Sequence, residues 1–244
     1  MHNPSELAAM GDSFAGQMTR RQFARITALL TAGAALPFYN ETTLAQDIKT
    51  IAEIPPDAVR LNANENPMGP CPAALAAVRE ILPASGRYLF GATREFAETL
   101  AAVEGIPVDH VLPCAGSSDP LHRSVIAYTS PTRPLVVANP GYEAPLSAAK
   151  FIGAKVIQVP LRPDHAHDAV AMTRADASAG VIYVCNPNNP TGTVTRKEDI
   201  LAIVASKPKG CMVLIDEAYI HFSATASPMT ELVASGQDLS LIHI

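Results

Sequence analysis

The sequence contains no tryptophan, and both its aromatic and its charged residues are scarce. Aromatic side chains make up 5% and charged side chains 17% of the 244 residues, whereas apolar residues make up 48%. This balance is typical of a globular chain with a large core, organised in one or two domains, and it excludes a disordered protein. The net charge of −5 also lacks the basic excess that nucleic-acid binding requires.

Cysteine is scarce as well, and its spacing gives no metal-binding pattern. The chain has four cysteines and no CxxC pair: Cys71, Cys114, Cys185 and Cys211. A zinc site is therefore not expected. Cys185 and Cys211 adjoin apolar runs, which predicts small core side chains rather than ligands or a nucleophile. His165 and His167 follow a proline in a polar segment and are predicted to be solvated rather than a ligand pair.

The N-terminus has no apolar run of comfortable membrane-spanning length, but it has the layout of an export signal. Arg20 and Arg21 precede an apolar stretch, 26–38, and a small-x-small site follows at 43–45. Paired arginines before such a stretch indicate the twin-arginine route. The alternative is a short amphipathic or transmembrane helix, for which the stretch is too short. We expect a signal peptide directing export to the periplasm at 1–45, a linker at 46–60 and the folded domain at 61–244.

Short apolar runs alternate with helical patterns through the rest of the chain. Predicted strands lie at 108–114, 135–137, 155–159, 181–185 and 212–215. Predicted helices lie at 72–82, 93–103, 121–128, up to 151, 168–175 and 195–205, the last beginning with a capping box of Thr195 and Glu198. Strand and helix in alternation predict an α/β fold, a mostly parallel sheet with helices on both faces.

Polar residues follow several of these strands, at the edge where open α/β sheets bind ligands. Gly116, Ser117 and Ser118 precede a helix and could cradle a phosphate at its N-terminus. Small residues are common at any helix start, so this pattern is weak by itself. Tyr142 follows another strand, where its ring could cover a flat ligand or simply pack in the core. These residues leave both interpretations open.

The next two strand ends carry stronger patterns. Asn189 lies in a proline-flanked turn, where its amide can donate to a ligand oxygen. Asp216 follows four apolar residues, and a carboxylate there is costly unless it is paired, for example with a protonated heterocyclic nitrogen. Tyr219 can direct its hydroxyl into the same cavity. A phosphate, a flat ring, a ring oxygen and a ring nitrogen together describe pyridoxal 5′-phosphate.

Six segments resemble the fold-type I, class I/II pyridoxal-phosphate aminotransferases, and the histidinol-phosphate aminotransferases most closely. In order, they are 61–70, 87–88, 116–119, 140–142, 186–192 and 216–219. The resemblance implies transfer of an amino group between a small-molecule amino donor and a 2-oxo acid, in two half-reactions. A decarboxylase or lyase on the same scaffold is an alternative. A non-catalytic cofactor-binding protein is another.

The resemblance also implies roles for individual residues. Ser117 and Ser118, with Gly116 in the same loop, hold the cofactor phosphate, and Tyr142 stacks on the pyridine ring. Tyr88 reaches the phosphate of a neighbouring subunit, which implies a homodimer with shared sites.

On the ring itself, the resemblance places Asn189 and Tyr219 at the hydroxyl oxygen and Asp216 at the pyridine nitrogen. The substrate side is assigned to one N-terminal segment, which comprises Asn64, Glu65 and Asn66.

Members of this family also carry a lysine that forms a Schiff base with the cofactor, on the strand after the segment that corresponds to 216–219. The six lysines of this chain all precede that segment: Lys49, Lys150, Lys155, Lys197, Lys207 and Lys209. Residues 237–239 resemble the approach to the lysine strand. We therefore expect a sequence that stops before this lysine and before the small C-terminal domain, and an inactive 244-residue product.

Overall fold

The computed structural model describes residues 55, 57–59, 61, 63–235 and 239–242. The predicted signal peptide, 1–45, and most of the predicted linker lie outside the described residues. The chain divides into two compact units, Met1–Cys71 and Pro72–Ile244. All helices and strands described below belong to the second unit.

A parallel sheet forms the centre of this unit. Its strands are β1 (Leu135–Asn139), β2 (Val156–Pro160), β3 (Val181–Cys185), β4 (Met212–Asp216) and β5 (Leu239–Ile242), arranged in the order β2-β1-β3-β4-β5. The first four confirm predicted strands, and β5 follows the segment that resembles the approach to the lysine strand. Every residue of β3 and β4 is buried, as expected for central parallel strands covered on both faces.

Helices cover both faces of the sheet, which confirms the predicted α/β fold. The α-helices of the described residues are α1 (Pro72–Ile81), α2 (Phe90–Glu104), α3 (Ser118–Tyr128), α4 (Ala144–Phe151), α5 (Ala169–Arg174), α6 (Lys197–Ser206) and α7 (Thr230–Val233), of which α3 to α7 pack on the sheet. α3 and α4 pack on the face that carries Tyr183 and Leu214, while α5, α6 and α7 pack on the opposite face, with Val184 and Val213. None of the helices in the described part of the chain has the length and apolar character needed to cross a membrane.

The start of β3 passes very close to the end of α3, at Gly180. A Cβ atom at this position would lie 2.1 Å from the carbonyl oxygen of Tyr128, so no other residue fits without a shift of backbone. The Gly180 amide donates to the oxygen of Pro134 at 2.8 Å, and its carbonyl accepts from the amide of Met212 at 3.0 Å. The glycine therefore lets the helix and three neighbouring segments pack together.

Two local predictions were wrong. Residues 108–114 form a 3₁₀ turn, Val108–His110, and a segment that joins no strand in the described part of the chain. Leu112 is 82% exposed and Pro113 has no N–H to donate, so this segment lacks what a buried strand needs. The predicted capping box is also absent, since α6 begins at Lys197 without a side-chain cap. The hydroxyl of Thr195 contacts His167 instead.

Candidate active site

The site lies at the carboxyl ends of three neighbouring strands. β1, β3 and β4 are adjacent and parallel, with Cys185 directly opposite Asp216 at the ends of β3 and β4. Neighbouring parallel strands end at the same edge of a sheet, so the segments that follow them lie next to one another at that edge. The structure thus brings Tyr142, Asn189, Asp216 and the nearby Tyr219 to one edge, as predicted.

Asp216 is the buried acid of this edge, with 3% of its surface exposed. The hydroxyl of Tyr183 donates to its Oδ2 at 2.7 Å, and the amide of Ala218 donates to its Oδ1 at 3.1 Å. Burial raises the pKa of Asp216, and these two donors partly oppose that rise. A carboxylate oxygen can accept two hydrogen bonds, so each oxygen retains capacity for a further donor.

Tyr183 is a site residue that the sequence analysis missed. It lies on β3 two residues before Cys185, so its ring points to the same face as Asp216 across the ladder. Burial raises the pKa of Tyr183 well above its ordinary value, which keeps the hydroxyl protonated as a donor. A tyrosine within an apolar strand needs a hydrogen-bond partner, and an acid at the end of the adjacent strand was the available signal.

Cys185, at the site, and Cys211, at the opposite end of β4, are buried thiols, as predicted. Burial raises the pKa of Cys185 to about 12 and that of Cys211 to about 11. The Cys185 thiol donates to the carbonyl of Pro187 at 3.3 Å. Neither cysteine is a thiolate near neutral pH, so neither is a candidate nucleophile.

The segment after β3, residues 186–195, forms a loop that is closed at its base; we call it the asparagine loop. The side chain of Asn186 accepts from the amide of Thr195 at 2.8 Å and donates to its carbonyl at 3.2 Å. Inside this closure, the Asn188 side chain donates to Thr191 at 2.8 Å and to the carbonyl of Pro140 at 3.2 Å. The half-buried Asn189 lies at the tip of the loop.

His167 corrects another prediction, because only its neighbour His165 is exposed. The imidazole of His167 is 1% exposed and its Nδ1 lies 2.8 Å from the hydroxyl of Thr195. Burial lowers the pKa of His167 to about 4, so the ring is neutral near pH 7. The polar residues around His167 indicated a solvated loop. Local composition does not show that this segment folds back onto the asparagine loop.

The predicted phosphate cradle lies at the start of α3. Gly116 has a φ of 87°, a left-handed conformation that favours glycine. Ser117 precedes the first helical residue and its side chain does not cap the helix, so the amides of the first turn keep their capacity to bind an anion. Leu121 and Val125 anchor α3 on the same sheet face as Tyr183. The preceding strand was predicted wrongly, and the helix begins at Ser118, three residues before the predicted start at Leu121.

Tyr142 and Tyr219 flank the edge from different strands. Tyr142 is half-buried and packs against the apolar cluster that contains Tyr183 and Cys185. The preceding glycine is required, because a Cβ on Gly141 would lie 2.8 Å from the oxygen of Ala138. Tyr219 is also half-buried, and its ring centre lies 6.4 Å from that of Phe222.

Glu217 is a second buried acid to which the sequence analysis assigned no role. It is 0% exposed, its Oε1 accepts from the amide of Met229 at 2.7 Å, and its own amide donates to the carbonyl of Ile242 at 2.8 Å. Burial raises the pKa of Glu217 to about 7. The residue therefore joins the end of β4 to two later segments of the chain, the start of α7 and the end of β5.

The other predicted site residues are Tyr88, in the second unit, and the substrate segment, in the first. Tyr88 is 89% exposed and stacks on Phe90 with ring centres 5.6 Å apart. The predicted substrate segment belongs to the first unit, where the Asn66 side chain donates to the carbonyl of Gly69 at 2.9 Å and accepts from the amide of Met68 at 3.0 Å. These bonds form a local turn.

This set of binding groups fits one kind of ligand. It comprises a buried carboxylate with spare acceptor capacity, an aromatic ring, an amide at a loop tip and a helix start with uncapped amides. Such groups suit a flat, nitrogen-containing aromatic ring that carries a phosphate, which is the chemistry of pyridoxal 5′-phosphate. Within the described residues, no cluster of three or more histidine, cysteine or acidic side chains could hold a metal ion.

Comparison with known proteins agrees with this chemistry. The histidinol-phosphate aminotransferase of Symbiobacterium thermophilum is 37% identical over 178 residues, 72% of this chain and 49% of the relative. The aromatic amino acid aminotransferase of Cutibacterium acnes is 36% identical over 68% of this chain and 48% of its own length. This chain thus spans about half the length of the curated relatives it matches.

Solved structures share the fold. A protein from Erwinia carotovora atroseptica, assigned as a histidinol-phosphate aminotransferase, superposes with a TM-score of 0.70 at 32% identity, over 76% of this chain and 55% of that one. The histidinol-phosphate aminotransferase of Sinorhizobium meliloti in complex with pyridoxal 5′-phosphate gives 0.63 at 24% identity, over 67% and 46%. The family model for aminotransferase class I and II matches residues 56–242. The chain belongs to the class I and II aminotransferases.

Proposed function

We propose that this chain forms the cofactor-binding part of an enzyme that transfers an amino group from a small amine donor to a 2-oxo acid. Its family depends on pyridoxal 5′-phosphate. The binding groups at the strand ends and at the start of α3 suit that cofactor. Among donors, histidinol phosphate and aromatic amino acids come first, because relatives that are 37% and 36% identical bear those names.

In this proposal the residues divide the cofactor between them. The start of α3, with Gly116, Ser117 and Ser118, holds the phosphate through backbone amides and hydroxyls. Tyr142 covers one face of the ring. When bound, pyridoxal 5′-phosphate supplies an electron-withdrawing ring that accepts the electron pair of the broken substrate bond.

The remaining contacts set the charge of that ring. Asn189 and Tyr219 orient it by hydrogen bonds to its hydroxyl oxygen, and Asp216 keeps a proton on its nitrogen. The proposal assigns this chain the residues that bind and polarise the cofactor. The amine that bonds to the cofactor is not among the residues assigned, so the test below measures binding rather than turnover.

The burial of Asp216 is the observation that carries the proposal. An acid that is 3% exposed and has no more than hydroxyl and amide donors as described partners is costly to ionise. A protonated ring nitrogen within reach of its spare lone pairs supplies the missing positive charge. Binding of the cofactor then converts an unfavourable buried acid into a hydrogen-bonded ion pair.

Two further parts of the proposal concern the whole enzyme. We place Tyr88 at the cofactor phosphate of a second subunit in a homodimer, since its ring is 89% exposed on its own subunit. We also propose export to the periplasm by the twin-arginine route, on the basis of Arg20, Arg21 and the apolar stretch that follows.

The test is cofactor binding by the Asp216→Asn variant. Titration of the 244-residue chain with pyridoxal 5′-phosphate, followed by absorbance and by quenching of tyrosine fluorescence, gives the dissociation constant. Loss of a charge-assisted hydrogen bond is expected to weaken binding by about tenfold or more. Glu198→Gln is the matched control, because it removes an equal charge at an exposed position on α6. Equal affinities for Asp216→Asn and wild type would overturn the proposal.

A further inference from the structure

A series of buried hydrogen bonds supports the asparagine loop, and its residues are not among the cofactor contacts proposed above. His167, in the connection between β2 and α5, is 1% exposed. Its amide donates to the hydroxyl of Thr195 at 3.0 Å and its Nδ1 lies 2.8 Å from the same oxygen. Two contacts from one residue to one buried hydroxyl fix both the backbone and the ring of His167 against Thr195.

Thr195 passes this constraint to the base of the loop. Its amide and carbonyl both bond to the side chain of Asn186, at 2.8 and 3.2 Å. The amide of Asn186 in turn donates to the carbonyl of Asp216 at 2.8 Å. The series of hydrogen bonds from His167 therefore ends at the backbone carbonyl of Asp216, the buried acid at the end of β4.

A second contact holds the same loop nearer its tip. The hydroxyl of Thr193 donates to the carbonyl of His165 at 2.7 Å and lies 2.7 Å from that of Thr191. Thr191 accepts from the side chain of Asn188, the neighbour of Asn189. The segment that carries His165 and His167 thus supports the asparagine loop at two points, Thr193 and Thr195.

We propose that His167 is a positioning residue which, through Thr195 and Asn186, fixes the loop that presents Asn189 to the hydroxyl oxygen of the cofactor ring. The inference rests on the proposed function, because that function places Asn189 at this oxygen. An apolar side chain of similar size would fill the space of the imidazole but would leave the Thr195 hydroxyl without its ring partner. The loop would then lose its alignment while the core stayed filled.

The experiment compares two ligands that differ at one atom. Pyridoxal 5′-phosphate has the ring hydroxyl, and 3-deoxypyridoxal 5′-phosphate has hydrogen in its place. His167→Leu should weaken binding of the first about fivefold and change binding of the second less than twofold. His167→Asn can still bond to Thr195 and should restore most of the difference. A general loss of structure would instead weaken both ligands equally.

Thr195→Val provides a second route if His167→Leu does not fold. It removes the hydroxyl at nearly constant shape, breaks both the backbone and the ring contact to His167, and should show a selective loss at least as large. Adding His167→Leu to Thr195→Val should change little further, because the ring contact is already broken. Equal effects on the two ligands, or no effect on either, would overturn the inference.

A measurement without cofactor separates this inference from the proposed function. The amides of Asn188 and Gly192 donate to carbonyls inside the loop, at 2.9 and 2.7 Å. Their hydrogen exchange should quicken about tenfold in His167→Leu, while exchange in β1 should not change. Unchanged exchange at these amides would refute the positioning role. Failure of the wild-type chain to bind pyridoxal 5′-phosphate would refute only the proposed function.

Discussion

At the scale of single residues, Asp216 depends on neighbours that are themselves buried. Tyr183 supplies the shortest contact to the acid, 2.7 Å, from the adjacent strand. Burial raises the pKa of both groups, so the tyrosine stays a donor while the acid resists ionisation. The pair therefore holds Asp216 in one orientation before any ligand arrives, which lowers the cost of binding.

Removing the Tyr183 hydroxyl tests this contact. Tyr183→Phe should lower the free energy of unfolding by about 1–3 kcal/mol, because a buried acceptor loses its partner. Urea unfolding measures the change. Tyr128→Phe is the control, since this tyrosine is 39% exposed, and a change within about 0.5 kcal/mol is expected there. Equal stability of the Tyr183→Phe variant and wild type would show that the hydroxyl contributes nothing to the fold.

The placement of residues at a strand end could be predicted from sequence. Asp216 directly follows one apolar run, Asn189 lies four residues after another, and both lie at the predicted edge. Tyr183, His167 and Glu217 could not be assigned in the same way. Their roles depend on which strand or loop lies beside them, and that pairing is a tertiary property that local composition does not encode.

At the scale of elements, the fold depends on a few close approaches between helix and strand. The junction of α3 with β3 is the tightest, since Gly180 leaves no space for a methyl group beside Tyr128. The adjoining hydrogen bonds, to Pro134 and Met212, tie the same point to β1 and β4. A shift here would therefore displace several elements together.

Gly180→Ala tests the junction. The added methyl group should lower the free energy of unfolding by about 2 kcal/mol or more, because backbone must move to accept it. Thermal or urea unfolding measures the loss. Gly91→Ala is the matched control: nothing lies within 4 Å of its would-be Cβ, and alanine favours the helix there. If Gly180→Ala is as stable as Gly91→Ala, the junction is not as tight as described.

Elements were predicted well where burial and pattern agree. β3 and β4 are continuous apolar runs, and their buried positions required no further information. The segment 108–114 mixes apolar residues with Asp109, His110 and Pro113 and remains largely exposed, so a few apolar residues alone did not make it a strand. The start of α6 was misplaced because Thr195 serves the asparagine loop, a use that a capping pattern cannot reveal.

At the scale of the whole molecule, two buried groups give opposite pH dependence to stability. Burial lowers the pKa of His167 from 6.5 to about 4, so its contribution is present above pH 6.5 and is lost as pH falls toward 4. Burial raises the pKa of Glu217 from 4.5 to about 7, so its contribution is present below pH 4.5 and is lost as pH rises toward 7. Between pH 4.5 and 6.5 the two effects on stability oppose each other.

Single variants should separate the two effects. From pH 4.5 to 6.5, Glu217→Gln should gain about 2 kcal/mol of unfolding free energy relative to wild type, because the wild-type acid loses its proton in the unfolded chain but keeps it in the folded one. His167→Asn should lose a similar amount relative to wild type, because its unfolded form no longer takes up the proton. Urea unfolding at several pH values measures both. Curves parallel to wild type would contradict the assignments.

The closed base of the asparagine loop has a consequence for how such a site can diversify. The Asn186 side chain closes the loop on the backbone of Thr195, whose hydroxyl also bonds to His167, whereas in the proposed function Asn189 at the tip faces the cofactor. Substitutions at the tip can therefore alter what the site recognises without breaking the contacts of Asn188, Thr191 and Thr193 that support the loop. During evolution, residues at the tip can therefore change independently of the residues that support the loop.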